Sequence, residues 1–87
     1  MDSYTIEWKS SAVREIKRLE GQIVERVVGA VEALAGNPFP PGARKLRGSR
    51  RTYRIRVGDY RIVYEISQSR LAIQIVRVRH RKDVYRP

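Results

Sequence analysis

Cysteine is absent from the 87 residues, so neither a disulfide framework nor a thiolate metal site is available, and a reducing cytoplasm is the simplest home. Acid is scarce where base is dense. After residue 36 the only carboxylate side chains are Asp59, Glu65 and Asp83, and the one histidine is His80. A metal-dependent nuclease needs clustered oxygen or nitrogen ligands, and this set is too sparse, with Asp59 expected in a turn. No metal and no cofactor are expected. No phosphate-binding glycine loop occurs, and no serine or cysteine nucleophile can be matched with a base and its orienting group. Long apolar runs are missing too: nothing approaches membrane-spanning length, and the N-terminal MDSYTIEWK has no apolar signal core. A soluble, cytoplasmic protein with no membrane partner is expected. The length makes one domain over residues 1–87, with a small core and modest stability.

What is present is positive charge, and it is placed unevenly. The formal net charge is +10. Residues 1–36 carry five Lys/Arg against six Asp/Glu, a net of −1, whereas residues 37–87 carry fourteen against three, a net of +11. All the basic excess lies in the C-terminal part, which points to nucleic acid. A membrane-surface role would want a basic amphipathic helix, and the helical part of this chain is not basic.

The C-terminal part is organised around TYRIRVGDYRIVYEI, Thr52 to Ile66. Two alternating runs meet at Gly58-Asp59, and a glycine followed by a short polar residue suits a two-residue hairpin turn, whose first position needs positive φ. That turn sets Val57 opposite Tyr60, Ile55 opposite Ile62 and Tyr53 opposite Tyr64 on the core side. The other side carries Arg54, Arg56, Arg61, Val63 and Glu65, with Arg56 opposite Arg61. Like charges in that relation are destabilising, and a bound polyanion offsets the loss; the alternative is a solvated basic face.

Elsewhere the periodicities are plain. Tyr4, Ile6 and Trp8 alternate with polar residues as a first strand, with Trp8 a core anchor. Ala12, Val13, Ile16 and Leu19 form a helical stripe, with Ser10 or Ser11 as its cap. After a break at Gly21, Ile23, Val27, Val31 and Leu34 form a second stripe, widened by Val24, Val28 and Ala30; Gly36-Asn37-Pro38 ends it. Val28, Val31 and Ile62 are expected in the core. Residues 43–48 form a short strand or arm bearing Arg44, Lys45 and Arg47. Ser49-Arg50-Arg51 is a charged loop, either solvated or in contact with phosphate. The last strand runs from Leu71 to Arg79. With Gln68-Ser69 as the turn before it, Leu71, Ile73 and Ile75 face Ile66, Tyr64 and Ile62 in the core, and Val76, Val78 and His80 join Arg61 on the basic face. A one-residue change in the turn would swap these faces. The expected fold is α+β in the order β-α-α-β-β-β, a helical hairpin on a small twisted antiparallel sheet.

RNA cleavage needs neither metal nor a covalent intermediate. The ribose 2′-OH can attack its own phosphate, leaving a 2′,3′-cyclic phosphate and a 5′-OH. The protein must position the backbone, stabilise the phosphorane and move two protons. Arginine suits phosphate because its planar fork binds bidentately. A basic face with a single His or Tyr is a minimal cyclising ribonuclease.

GDYRIVYEI, the upstream KLRG (Lys45 to Gly48) and the ending RVRHRKDVYR resemble the RelE family of bacterial and archaeal toxins, over nearly the whole chain and in the right order and spacing. The resemblance implies a type II toxin of the RelE/ParE superfamily: a metal-independent messenger-RNA endonuclease that enters the ribosomal A site. It also implies a cognate antitoxin on a separate chain that wraps the basic face or displaces the tail. By motif, the catalytic positions are Arg54, Arg56 and Arg61 on the hairpin, Arg81 after the last strand with Arg79 and His80 as neighbours, and Tyr85. Lys45, Arg47, Arg51 and Arg79 are the further RNA contacts. One departure is chemical. The first two hairpin positions are lysines in the best-known members and arginines here; arginine, with a pKa of roughly 12 or more, serves poorly in proton transfer. Arg54 and Arg56 are therefore assigned to charge stabilisation, Arg61 to phosphate, and proton transfer to His80 and Tyr85. The alternatives are a ParE-like sibling that inhibits DNA gyrase without cleaving, and a plain RNA-binding domain.

Overall fold

A computed structural model describes residues 3–84 of the chain. Its elements are β1 (Thr5–Trp8), α1 (Ser10–Ile16), α2 (Gly21–Ala33), β2 (Arg44–Lys45), β3 (Thr52–Val57), β4 (Tyr60–Ser67), β5 (Ala72–His80) and α3 (Arg81–Val84). The strands form one five-stranded sheet in the order β1-β5-β4-β3-β2. The α+β class and the helical pair on a sheet are as expected. The sheet is mixed, because β1 joins β5 in parallel while the other pairings are antiparallel.

The central hairpin has the expected register, with Val57 against Tyr60, Ile55 against Ile62 and Tyr53 against Tyr64. Gly58 takes φ +59°, the left-handed conformation that the first turn position requires and that costs glycine nothing. On the side facing the helices, Ile55, Ile62, Tyr64, Ile66, Ile73, Ile75 and Val78 are buried against Ala12, Val27, Val31 and Leu34. Trp8 packs against the rim of this cluster. Ile62 and Val31 are fully buried, as expected; Val28 is only half-buried, because the helical stripe is centred one residue earlier on Val27.

The last strand departs from the expected pairing. Ile73 faces Ile66 and Ile75 faces Tyr64, so the loop before β5 spans residues 68–71 and not the two-residue Gln68-Ser69 turn. Next comes an irregularity: Val63 pairs with Arg77 while Tyr64 pairs with Ile75, leaving Val76 without an opposite residue. One extra residue on one strand is a β-bulge, and it resets the alternation. Val78 therefore turns to the core opposite Ile62, and Arg77 and Arg79 take the outer face opposite Val63 and Arg61. The assignment of Val78 and His80 to the basic face is corrected accordingly. The physical reason lies in charge: unbroken alternation from Ile73 and Ile75 would drive Arg77 and Arg79 into the apolar layer, where unpaired charge is very costly.

The serine cap is corrected as well. Lys9 occupies the N-cap of α1 with no side-chain cap bond. Ser11 instead donates its hydroxyl to the carbonyl of Val76 at 2.7 Å, because α1 lies where β1 stops pairing with β5.

Candidate nucleic-acid interface

The face of the sheet away from the helices is built in rows, because residues opposite one another on paired strands point the same way. One row crosses β2, β3, β4 and β5 as Arg44, Arg54, Val63 and Arg77. The next, one pleat nearer the Gly58 turn, crosses β3, β4 and β5 as Arg56, Arg61 and Arg79. At the far end, Thr52, Glu65, Gln74 and Glu7 form a polar and acidic row. There Gln74 donates to Glu7 at 3.3 Å, and Arg70 pairs with Glu7 at 3.2 Å. The outer face is thus electrically graded along the strands, basic at the turn end.

Within the basic end the arginines differ in access. Arg56 is exposed and Arg54 half-buried, whereas Arg61, at the centre of its row, is only 6% exposed. Arg79 is half-buried, with its Nε donating to the Glu15 carboxylate at 2.9 Å. Arg77 reaches the same carboxylate at 3.5 Å.

His80 stands opposite Tyr60, which shares the core-side parity of Ile62. Its ring meets Tyr60 edge-on at 5.2 Å between centroids, and Nδ1 accepts the backbone N–H of Lys82 at 3.2 Å. That bond places the proton of the neutral ring on Nε2. Arg81 opens α3, and its backbone N–H donates to the carbonyl of Asp59 at 2.7 Å, tying the start of the tail to the hairpin turn. Its guanidinium lies 3.9 Å from the Asp59 carboxylate, an exposed contact of little energetic weight. Tyr85 lies outside the described residues.

The remaining RNA-binding candidates are spread around the hairpin. Lys45 pairs with Tyr53 and so has the opposite parity to Arg44, and Arg47 is exposed in the turn that follows. Arg51 projects from a loop held by Ser49, whose hydroxyl accepts the N–H groups of Arg51 and Thr52 at 3.3 and 3.1 Å and contacts the Thr52 hydroxyl at 2.7 Å. Arg51 borders an open pocket of about 320 Å³ with Glu65, Ser67, Ser69 and Arg70 at the acidic end. Five steps along the extended chain lead from Arg51 to Arg56, about 16 Å at strand rise. The structure therefore brings Arg54, Arg56, Arg61 and Arg79 together and leaves Arg51 apart.

Two contributors escaped the sequence reading, Arg77 and Glu15. The first was signalled by the phase change in IQIVRVRH, where apolar alternation shifts at Ile75-Val76. The second had no local signal. Among the described residues no three of His, Cys, Asp and Glu come together to hold a metal ion, and no helix is long and apolar enough to cross a membrane.

The loop beyond α2 is pinned by aromatics. Phe39 meets Tyr53 edge-on at 5.2 Å, Tyr53 stacks with Tyr64 at 6.1 Å, and the Tyr64 hydroxyl donates to the carbonyl of Pro38 at 2.8 Å. Burial, followed by the neighbouring Tyr53, pushes the Tyr64 pKa up to about 12.

A helical pair on a mixed sheet is an architecture shared with solved bacterial and archaeal toxins. A family model for the ParE toxin of the type II toxin–antitoxin system parDE matches residues 6–85. Toxin RelG of Mycobacterium tuberculosis is 33% identical over 84 residues, spanning 95% of this chain and 97% of that protein. Toxin RelE3 of Methanocaldococcus jannaschii is 32% identical over 77 residues, spanning 84% and 85%. Among solved structures, the archaeal RelE–RelB complex from Pyrococcus horikoshii OT3 superposes with a TM-score of 0.81 at 25% identity, covering 91% of this chain and 96% of that one. The toxin–antitoxin complex RelBE2 from M. tuberculosis gives 0.80 at 29%, covering 90% and 98%. The chain is a toxin of the type II toxin–antitoxin class. It belongs to the RelE family of the RelE/ParE superfamily.

Proposed function

We propose that this toxin is a ribosome-dependent messenger-RNA endoribonuclease that cleaves by attack of the ribose 2′-OH, without a metal ion or cofactor. The observation that carries the reading is the row Arg56–Arg61–Arg79 across three adjacent strands. Arg56 and Arg79 flank the nearly buried Arg61 at strand spacing and offer positive charge to one phosphate and its neighbours, and guanidinium donors stabilise developing phosphorane charge. In this reading Arg54 and Arg56 stabilise the pentavalent phosphate. Arg61, mostly covered, holds the backbone from beneath and fixes the row, and Arg81 contacts RNA from the start of the tail. His80 and Tyr85 carry the two proton transfers, one from the 2′-OH and one to the leaving 5′-oxygen. Lys45, Arg47 and Arg51 extend the contact along the RNA.

The substrate is messenger RNA in the ribosomal A site, and the place of action is the cytoplasm. The partner that restrains the toxin is a cognate antitoxin on a separate chain, as the RelB chains are in the solved complexes from M. tuberculosis and P. horikoshii. An acidic antitoxin segment covering the arginine rows neutralises the like-charge repulsion and blocks RNA together.

A second reading, inhibition of DNA gyrase without cleavage, is favoured by one observation: the matching family model bears the ParE description. Toe-printing of translating ribosomes, run beside a gyrase supercoiling assay, separates the two. The proposal expects new 3′ ends within the A-site codon and unaffected gyrase; uncut message with blocked supercoiling overturns it.

A further inference from the structure

β1 pairs with β5 only as far as Trp8 against Ile75, so the second half of β5 passes beyond its neighbour. An uncovered strand edge leaves backbone N–H and C=O groups needing partners. α1 supplies them with side chains. Ser11 donates to the Val76 carbonyl at 2.7 Å, and Glu15, one helical turn on, accepts the N–H of Val78 at 2.8 Å. Positions four apart lie on one helix face, so the pair substitutes for the missing strand across the bulge.

Glu15 does more than close the edge. Its Oε1 takes the Val78 N–H, while Oε2 takes Arg79 Nε at 2.9 Å and lies 3.5 Å from an Arg77 terminal nitrogen. The Glu15 side chain is 20% exposed, and those of Arg79 and Arg77 remain 41% and 44% exposed. A carboxylate bonded through Nε fixes the plane of the guanidinium and leaves the other N–H groups of its fork for a ligand. It also places negative charge at the end of a like-charged row.

We propose that Glu15 is a positioning residue: through Arg79 Nε it sets the third guanidinium of the Arg56–Arg61–Arg79 row in the orientation that meets the RNA phosphate. This inference rests on the cleavage reading above. Charge alone makes the opposite forecast, since removing a carboxylate from a basic surface strengthens attraction for RNA.

The test compares Glu15→Ala, Glu15→Gln, Arg79→Ala and the double variant Glu15→Ala/Arg79→Ala. The readouts are melting, affinity for a messenger-RNA oligonucleotide, and kcat and KM on programmed ribosomes. Glu15→Ala is expected to lower kcat on the order of tenfold to a hundredfold, the scale of a misplaced catalytic group, with KM unchanged or lower. Arg79→Ala should then add little in the double variant, because the two act as one unit. Glu15→Gln keeps an acceptor for Val78 and should melt near the parent while showing an intermediate kcat, which separates positioning from folding. A folded Glu15→Gln or Glu15→Ala protein with parental kcat, or losses that multiply in the double variant, would overturn the proposal. If the parent cleaves nothing, the cleavage reading alone fails. The same four proteins then decide the Glu15–Arg79 coupling by RNA affinity, with independent effects sinking it.

Discussion

Arg56 of β3 stands directly opposite Arg61 of β4. A like-charged pair in that relation weakens a hairpin, yet the hairpin retains full register from Thr52 to Val57. The core-side partners Ile55–Ile62 and Tyr53–Tyr64 offset the repulsion by burial. The same strand pairing that puts the apolar residues in the core puts the arginines on the opposite face, and fold and candidate site are two faces of one strand pairing.

Because Arg56 is exposed, Arg56→Ala should leave folding stability within about 0.5 kcal/mol of the parent, as surface changes usually do. It should slow cleavage by roughly a hundredfold to a thousandfold if its guanidinium stabilises phosphorane charge. The salt dependence of RNA binding should fall by about 0.7 in logarithmic slope for one lost single-strand phosphate contact. Melting curves, single-turnover cleavage and a salt titration read the three effects, and unchanged cleavage would remove Arg56 from the site.

Ile62 is fully buried between Ile55 and Val78 in the sheet. Ile62→Ala should cost about 2–5 kcal/mol through the cavity it leaves, and Ile62→Val about 0.5–1.5 kcal/mol. Against a total of about 5–15 kcal/mol for a typical domain, the alanine protein should show a clearly lower urea midpoint. An unchanged midpoint would mean that the hairpin presents its other face to the helices.

The Tyr64 phenol, raised to about 12 by burial and then by Tyr53, gives stability a pH dependence at the alkaline end. Below the ordinary phenol value both folded and unfolded chains hold the proton, so Tyr64 contributes no slope. Between about 10 and 12 the unfolded chain releases its proton while the folded chain keeps it, so stability falls as pH rises. Tyr64→Phe should flatten this limb. It should also cost about 0.5–1.5 kcal/mol at neutral pH through the lost bond to Pro38. Denaturant melts from pH 8 to 12 would show both effects, and an alkaline limb identical to the parent's would exclude Tyr64 as its source.

Most of the fold was legible because its signals are local. Gly58-Asp59 fixed the hairpin turn, and the two apolar stripes placed the helices, although α1 stops at Ile16, short of Leu19, and Val28 is only half-buried. The outer face of β5 was misread because strict alternation was carried through Val76, although two arginines at the core phase are themselves a physical warning. The loop before β5 was two residues longer than expected, with Leu71 at φ 50°, a conformation that sequence does not advertise for leucine. Glu15 was illegible for a different reason. Its partner Val78 lies 63 residues away, and nothing in a charged helical surface distinguishes a carboxylate that closes a strand edge from one that faces water.

The central claim is that RNA is cut by its own 2′-OH on the arginine row. The most direct measurement programs ribosomes with a message carrying a single 2′-deoxy sugar at the mapped cut site and follows cleavage beside the all-ribose message. The all-ribose message should yield a 2′,3′-cyclic phosphate and a 5′-OH, while the deoxy message should remain intact at that position, since its nucleophile is gone. Cleavage of the deoxy message at the parental rate would contradict the account.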